Sequence, residues 1–163
     1  MRTLLFLFAG VAPALAHAQL LRTTDLRLLE GTWRGELVYI NYGDGTEARI
    51  PADLLVLPVD TRRWAMGFGY ADEPHANDRD TAALSDDGDR FGTSAVQAVE
   101  RPATDSLRVV LEEDGEDDHA PARIRRTWTI GAATCTLRKE VCPAATPGAP
   151  FALRHEYRLR RVR

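Results

Sequence analysis

From Trp33 onward the chain alternates between apolar and polar positions. Trp64, Met66, Phe68 and Tyr70 fall on one side of an extended backbone, and Arg63, Ala65, Gly67 and Gly69 on the other. Leu107, Val109 and Leu111 alternate with Arg108, Val110 and Glu112. The same period joins Ile124, Arg126, Trp128 and Ile130, and later Phe151, Leu153, His155, Tyr157 and Leu159. A period of two marks strands with one buried face. Strands are predicted at 33–41, 46–58, 62–71, 81–84, 89–100, 105–113, 121–130, 133–142 and 151–162. Turn-forming residues divide them, among them Gly43-Asp44-Gly45, Asp86-Asp87-Gly88-Asp89 and the acidic run 112–118, which reads as a solvated hairpin tip. Before them, Thr24-Asp25 followed by Leu26, Leu28 and Leu29 reads as a short capped helical turn ending at Gly31.

These elements predict an all-β fold. Strands with a one-sided apolar face close on themselves, because closure removes exposed edges. The expectation is a single antiparallel up-and-down barrel of about 8–9 strands behind a short N-terminal helix. A barrel of that size holds packed side chains or one small ligand.

The N-terminus follows a different pattern. Arg2 precedes an apolar run from Leu4 to Leu15, and Ala16-His17-Ala18 supplies small residues for cleavage. This reads as a cleaved signal peptide over 1–18, leaving a barrel domain over 19–163 in the periplasm or outside the cell. The run of about 12 residues is too short to span a bilayer, so no transmembrane segment is expected in the mature chain. With 163 residues, one domain accounts for the whole. Net charge is −3, and Arg outnumbers Lys 20 to 1. An acidic chain without a basic patch argues against a nucleic-acid partner.

Export permits a disulfide, and Cys135 and Cys142 are the only cysteines. On one extended strand they would stand roughly 23 Å apart and on opposite faces. A Cys135–Cys142 bridge therefore needs a turn at Arg138-Lys139-Glu140, and the sequence leaves both possibilities open. Neither cysteine has metal-ligand spacing, and no metal site or cofactor is expected.

Gly31-Thr32-Trp33 opens the first strand just after the helical turn. This resembles the G-x-W signature of lipocalins and related calycin barrels. The resemblance implies that Trp33 plugs one barrel end and that an Arg of the last strand packs across it. Arg161 is the first candidate for that Arg and Arg158 the second. Residues 31–39, 70–77 and 156–161 are similar to a family of exported bacterial proteins whose activity is uncharacterised and whose barrels look lipocalin-like. That similarity implies location and fold, and no reaction.

Candidate site residues follow from the alternation. Trp64, Met66, Phe68, Trp128 and Tyr157 would line an interior, with Tyr70, Glu73 and Asn77 near its rim. Glu73 and Asn77 belong to the polar loop 72–80, which reads equally as a fixed turn with Asn77 bonding local backbone. Arg126 shares a face with Trp128, so an inward Arg126 needs a carboxylate such as Glu36 or Glu140, or an anionic ligand. An inward His155 is a candidate to hydrogen-bond a ligand or hold haem iron. No nucleophile elbow, metalloprotease helix, phosphate loop or dinucleotide fingerprint is present in the sequence. The leading expectation is an exported barrel that binds a small hydrophobic or amphipathic molecule. The alternatives are a protein-interaction or inhibitor module with a filled barrel, and a small barrel enzyme or haem-binding barrel.

Overall fold

The structure is a computed structural model and describes residues 20–41, 43–146 and 148–162. The expected signal peptide lies outside the described residues. A short helix α1 (Thr23–Leu26) runs into a 3-10 turn (Arg27–Leu29). Ten strands follow: β1 (Gly31–Ile40), β2 (Glu47–Pro58), β3 (Arg63–Gly69), β4 (Asp78–Ala83), β5 (Arg90–Phe91), β6 (Ser94–Glu100), β7 (Leu107–Asp117), β8 (Ala120–Ile130), β9 (Thr134–Pro143) and β10 (Ala152–Arg161).

Except for β4 and β5, every strand pairs antiparallel with its neighbours in the chain, and β10 returns to pair with β1, setting Trp33 opposite Arg161. Between β4 and β5 a single bridge, Leu84 to Phe91, joins the two ends of the sheet. The result is the expected all-β, antiparallel up-and-down barrel, nearly closed. It has ten strands rather than 8–9. The predicted strand 89–100 breaks at Gly92, whose φ of +60° suits glycine and reverses the chain between β5 and β6.

The acidic run is a second difference. It is not a hairpin tip but the end of β7, which continues in register with β8 to Asp117. Only Asp118 and His119 form the turn, both with left-handed φ (51° and 61°), the geometry that matches strand twist in a two-residue hairpin. Alternation therefore sends Glu112 to one face and Glu113 and Asp117 to the other.

Close packing of β1 on β10 depends on Gly35. A Cβ there would stand 2.0 Å from the Arg158 carbonyl oxygen. The core fills one end of the barrel with Trp33, Leu54, Val56, Leu107, Val109 and Ile130, all nearly inaccessible to solvent. Leu21, Leu26 and Leu29 of the N-terminal segment cap that end. Asp25 fastens the cap: it accepts the Arg22 N–H (2.7 Å) and pairs with Arg101 at 2.5 Å.

The outer face carries cross-strand ion pairs, such as Arg34–Asp53 (3.0 Å) and Arg108–Glu100 (2.7 Å). No helix among the described residues is long and apolar enough to cross a membrane.

Candidate functional site

Trp33 and Arg161 seal one end. The Trp33 indole N–H donates to the Leu29 carbonyl (2.7 Å), and the Arg161 guanidinium lies 4.0 Å from the centre of the indole ring. The same guanidinium donates to the carbonyls of Leu28 (2.6 Å), Glu30 (2.5 Å) and Ala132 (3.1 Å). One side chain thus joins the first strand, the N-terminal cap and the turn before β9. Arg158, the second candidate, faces outward and pairs with Glu156 (2.7 Å).

The other end is open. There the barrel encloses a cavity of about 590 Å³. Its apolar wall comes from Met66, Phe68, Phe91, Leu111, Trp128 and Leu137. Phe91 meets Trp128 edge-on at 5.5 Å, and Phe68 packs on Tyr157 at 4.8 Å between ring centres. Its polar part comes from both rims of the strand ladder. Tyr70 and Tyr157 share a hydroxyl–hydroxyl hydrogen bond of 2.5 Å. Arg126 pairs with Glu113, which also accepts from Thr93 and from Ser94 (3.1 Å). Lys139, the one lysine of the chain, pairs with Asp117 at 2.8 Å.

A β-bulge in β10 shapes this rim. The register with β9 shifts between Leu153 and His155, so Arg154 is an extra residue there. A bulge of this kind re-aims side chains. Arg154 reaches Asp117 at 3.4 Å, while His155 stands opposite Lys139 and lines the cavity.

Electrostatics follow from this crowding. Burial, reinforced by the positive charges of Lys139, Arg154 and Arg126, pushes the His155 pKa down to about 4, against a weaker opposing pull from Asp117. His155 is therefore neutral near pH 7. Burial raises the Glu113 pKa, but its hydrogen bonds from Thr93 and Arg126 outweigh that and leave it below the ordinary carboxylate value. Burial first, and then the bond to Tyr70, push the Tyr157 hydroxyl upward.

Seven of the ten candidate residues come together here: Met66, Phe68, Tyr70, Arg126, Trp128, His155 and Tyr157. Trp64 does not. It is buried toward the sealed end, where its N–H donates to Glu30 (3.0 Å). Glu73 and Asn77 are exposed and lie outside the cavity wall, with Asn77 accepting the Tyr70 backbone N–H (2.7 Å) as a fixed turn requires. The partner of Arg126 is Glu113, neither Glu36 nor Glu140. Glu36 belongs to the outer face, where it accepts from Arg49 (3.1 Å).

Glu113, Asp117 and Lys139 are not among the ten predicted site residues, because the run 112–118 reads as solvated and nothing local pairs Lys139 with it. A usable signal existed: Lys139 continues the inward series Cys135, Leu137. Both cysteines are free thiols, seven positions apart on the continuous strand β9, so the turn that a bridge demands is absent. No group of three or more metal-ligating side chains occurs among the described residues.

An aromatic and aliphatic wall beside a strongly polar rim, over a sealed floor, suits a molecule with both an apolar and a polar part. No family model matches the chain, and no curated protein matches it.

Proposed function

We propose that the barrel is an exported binding protein for a small amphipathic molecule, held in the cavity with its apolar body toward Trp128 and its polar head toward the rim. The observation that carries this reading is the cavity itself. Its volume of about 590 Å³ lies within the range of small-molecule sites, and it opens at one end only because Trp33 and Arg161 seal the other. The N-terminal pattern supports export to the periplasm or beyond. A lipocalin-like assignment is supported by the position of Gly31-Thr32-Trp33 at the start of β1 and by Arg161 stacked on Trp33 from the last strand.

The test is native mass spectrometry of the protein released gently from its own cells, together with a titration that follows Trp128 fluorescence. The expected result is a retained small-molecule mass and a saturable fluorescence change with an added amphiphile. A barrel that emerges empty and binds no amphiphile overturns the proposal.

An interaction module draws on a different face. Leu55, Leu57 and Val59 form an outward row, 42%, 43% and 51% exposed. If that row holds a partner, Leu57→Asp abolishes the association and leaves the fluorescence titration unchanged.

A further inference from the structure

We infer that the cavity selects an amphiphile with an uncharged head group that both donates and accepts a hydrogen bond, such as a hydroxyl, and that His155 and the Tyr70–Tyr157 pair recognise it. This rests on the binding reading above and specifies the head group.

The wall cations are already engaged. Glu113 holds Arg126, and Asp117 lies between Lys139 and Arg154 with its side chain only 9% exposed. An anionic head would have to displace one of these carboxylates, and a displaced, largely desolvated carboxylate is costly. A cationic head beside His155 would meet the fields of Lys139, Arg154 and Arg126, the same fields that disfavour a proton on the imidazole. Asp78 and Asp80 also line the cavity, from exposed positions on β4; the Asp78 charge acts on the Tyr157 hydroxyl, whereas the charges felt at His155 are those of Lys139, Arg154 and Arg126, opposed by Asp117.

The neutral hydrogen-bonding groups are differently placed. His155 is mostly buried, yet its imidazole has no hydrogen bond or ion pair among the described residues; its contact is the ring of Tyr157, edge-on at 5.6 Å. A neutral imidazole offers one donor and one acceptor. In the tyrosine pair one hydroxyl proton is spent on the shared bond and the other is free. A ring nitrogen of His155 and the free tyrosine hydroxyl proton thus face the same cavity beside the aromatic wall. One hydroxyl head can engage both, accepting from the tyrosine and bonding one ring nitrogen, whereas an alkyl chain alone leaves them without partners once water is expelled.

The test compares decan-1-ol, decanoate and decylamine at neutral pH, each below its aggregation limit, by the fluorescence titration. Decan-1-ol is expected to bind at least tenfold more tightly than either ion. His155→Leu should weaken decan-1-ol about tenfold, the loss of a hydrogen bond in a desolvated site, and His155→Gln, which keeps a donor and an acceptor, should recover most of it. If His155→Leu does not fold, His155→Phe carries the same comparison. Decanoate or decylamine binding as tightly as decan-1-ol overturns the inference and leaves the binding proposal standing. So does a His155→Leu variant that folds and binds decan-1-ol unchanged. Binding of none of the three overturns the proposed function itself.

Discussion

Replacing Arg161 by Met keeps much of the side chain's length and removes its charge and its donors. The loss can be worked from four contacts. The guanidinium over the Trp33 ring at 4.0 Å is worth about 1–2 kcal/mol in this half-buried setting. The bonds to the Leu28 and Glu30 carbonyls are partly buried, and each contributes about 1–1.5 kcal/mol. The exposed bond to Ala132 adds roughly 0.5 kcal/mol, since water replaces it. The expected destabilisation is about 3.5–5.5 kcal/mol. With a urea slope of about 1.5–2 kcal/mol per molar, the unfolding midpoint should fall by about 2 M. Arg160→Met is the control. Arg160 is the neighbouring residue on the opposite, exposed face, and its loss should change stability by less than about 0.5 kcal/mol. Urea unfolding followed by circular dichroism measures all three proteins. Equal midpoints for the Arg161 and Arg160 variants would refute the reasoning that this side chain holds the sealed end together.

Other outcomes follow from the same geometry. Glu113→Gln leaves Arg126 without its carboxylate and should cost about 1–2 kcal/mol, discounted because Arg126 is about a third exposed; adding Arg126→Met should restore most of it, as a double-mutant cycle will show. His155 has a folded pKa of about 4 against 6.5 for the free side chain, so the unfolded chain takes up the proton first. Its contribution, on the order of 3 kcal/mol, is present above pH 6.5 and is lost as pH falls toward 4. Thermal melts across that window should show a steeper decline for the wild type than for His155→Gln. Gly35→Ala drives a Cβ against the Arg158 carbonyl and should destabilise by several kcal/mol or abolish soluble expression. Denatured protein, without reductant, should titrate two thiols per chain, and a count of zero would restore the disulfide.

The architecture was legible because strand alternation and turn chemistry agree along most of the chain. Trp64 to Tyr70 and Ile124 to Ile130 needed no tertiary information to be placed on a common inner face. The resemblance at Gly31-Thr32-Trp33 implies an Arg of the last strand across Trp33, and Arg161 is there; residue types and spacing alone do not predict that contact. What was lost was depth along the barrel. Alternation says which face a residue takes but not how far down the axis it sits, so Trp64 was placed in the cavity although it belongs to the floor. Composition also misled at 112–118. Consecutive acids look like a solvated tip, yet Glu113 pairs with Arg126 on the adjacent β8 and Asp117 reaches across the barrel to Lys139 on β9 and Arg154 on β10, and no local signal reveals a partner on another strand. The bulge at Arg154, which brings His155 and a further cation to the rim, has no signature in local sequence.

The pairing of β1 with β10 has a consequence for how the molecule is made. Thr32 accepts a hydrogen bond from the Val162 backbone, so the ring cannot shut until β10, the last of the ten strands, has been made. Such late, distant contacts slow folding, because the chain must find its own end before the inner wall is dry. That delay leaves the first nine strands unclosed and their inner faces wet while the tenth is still being made.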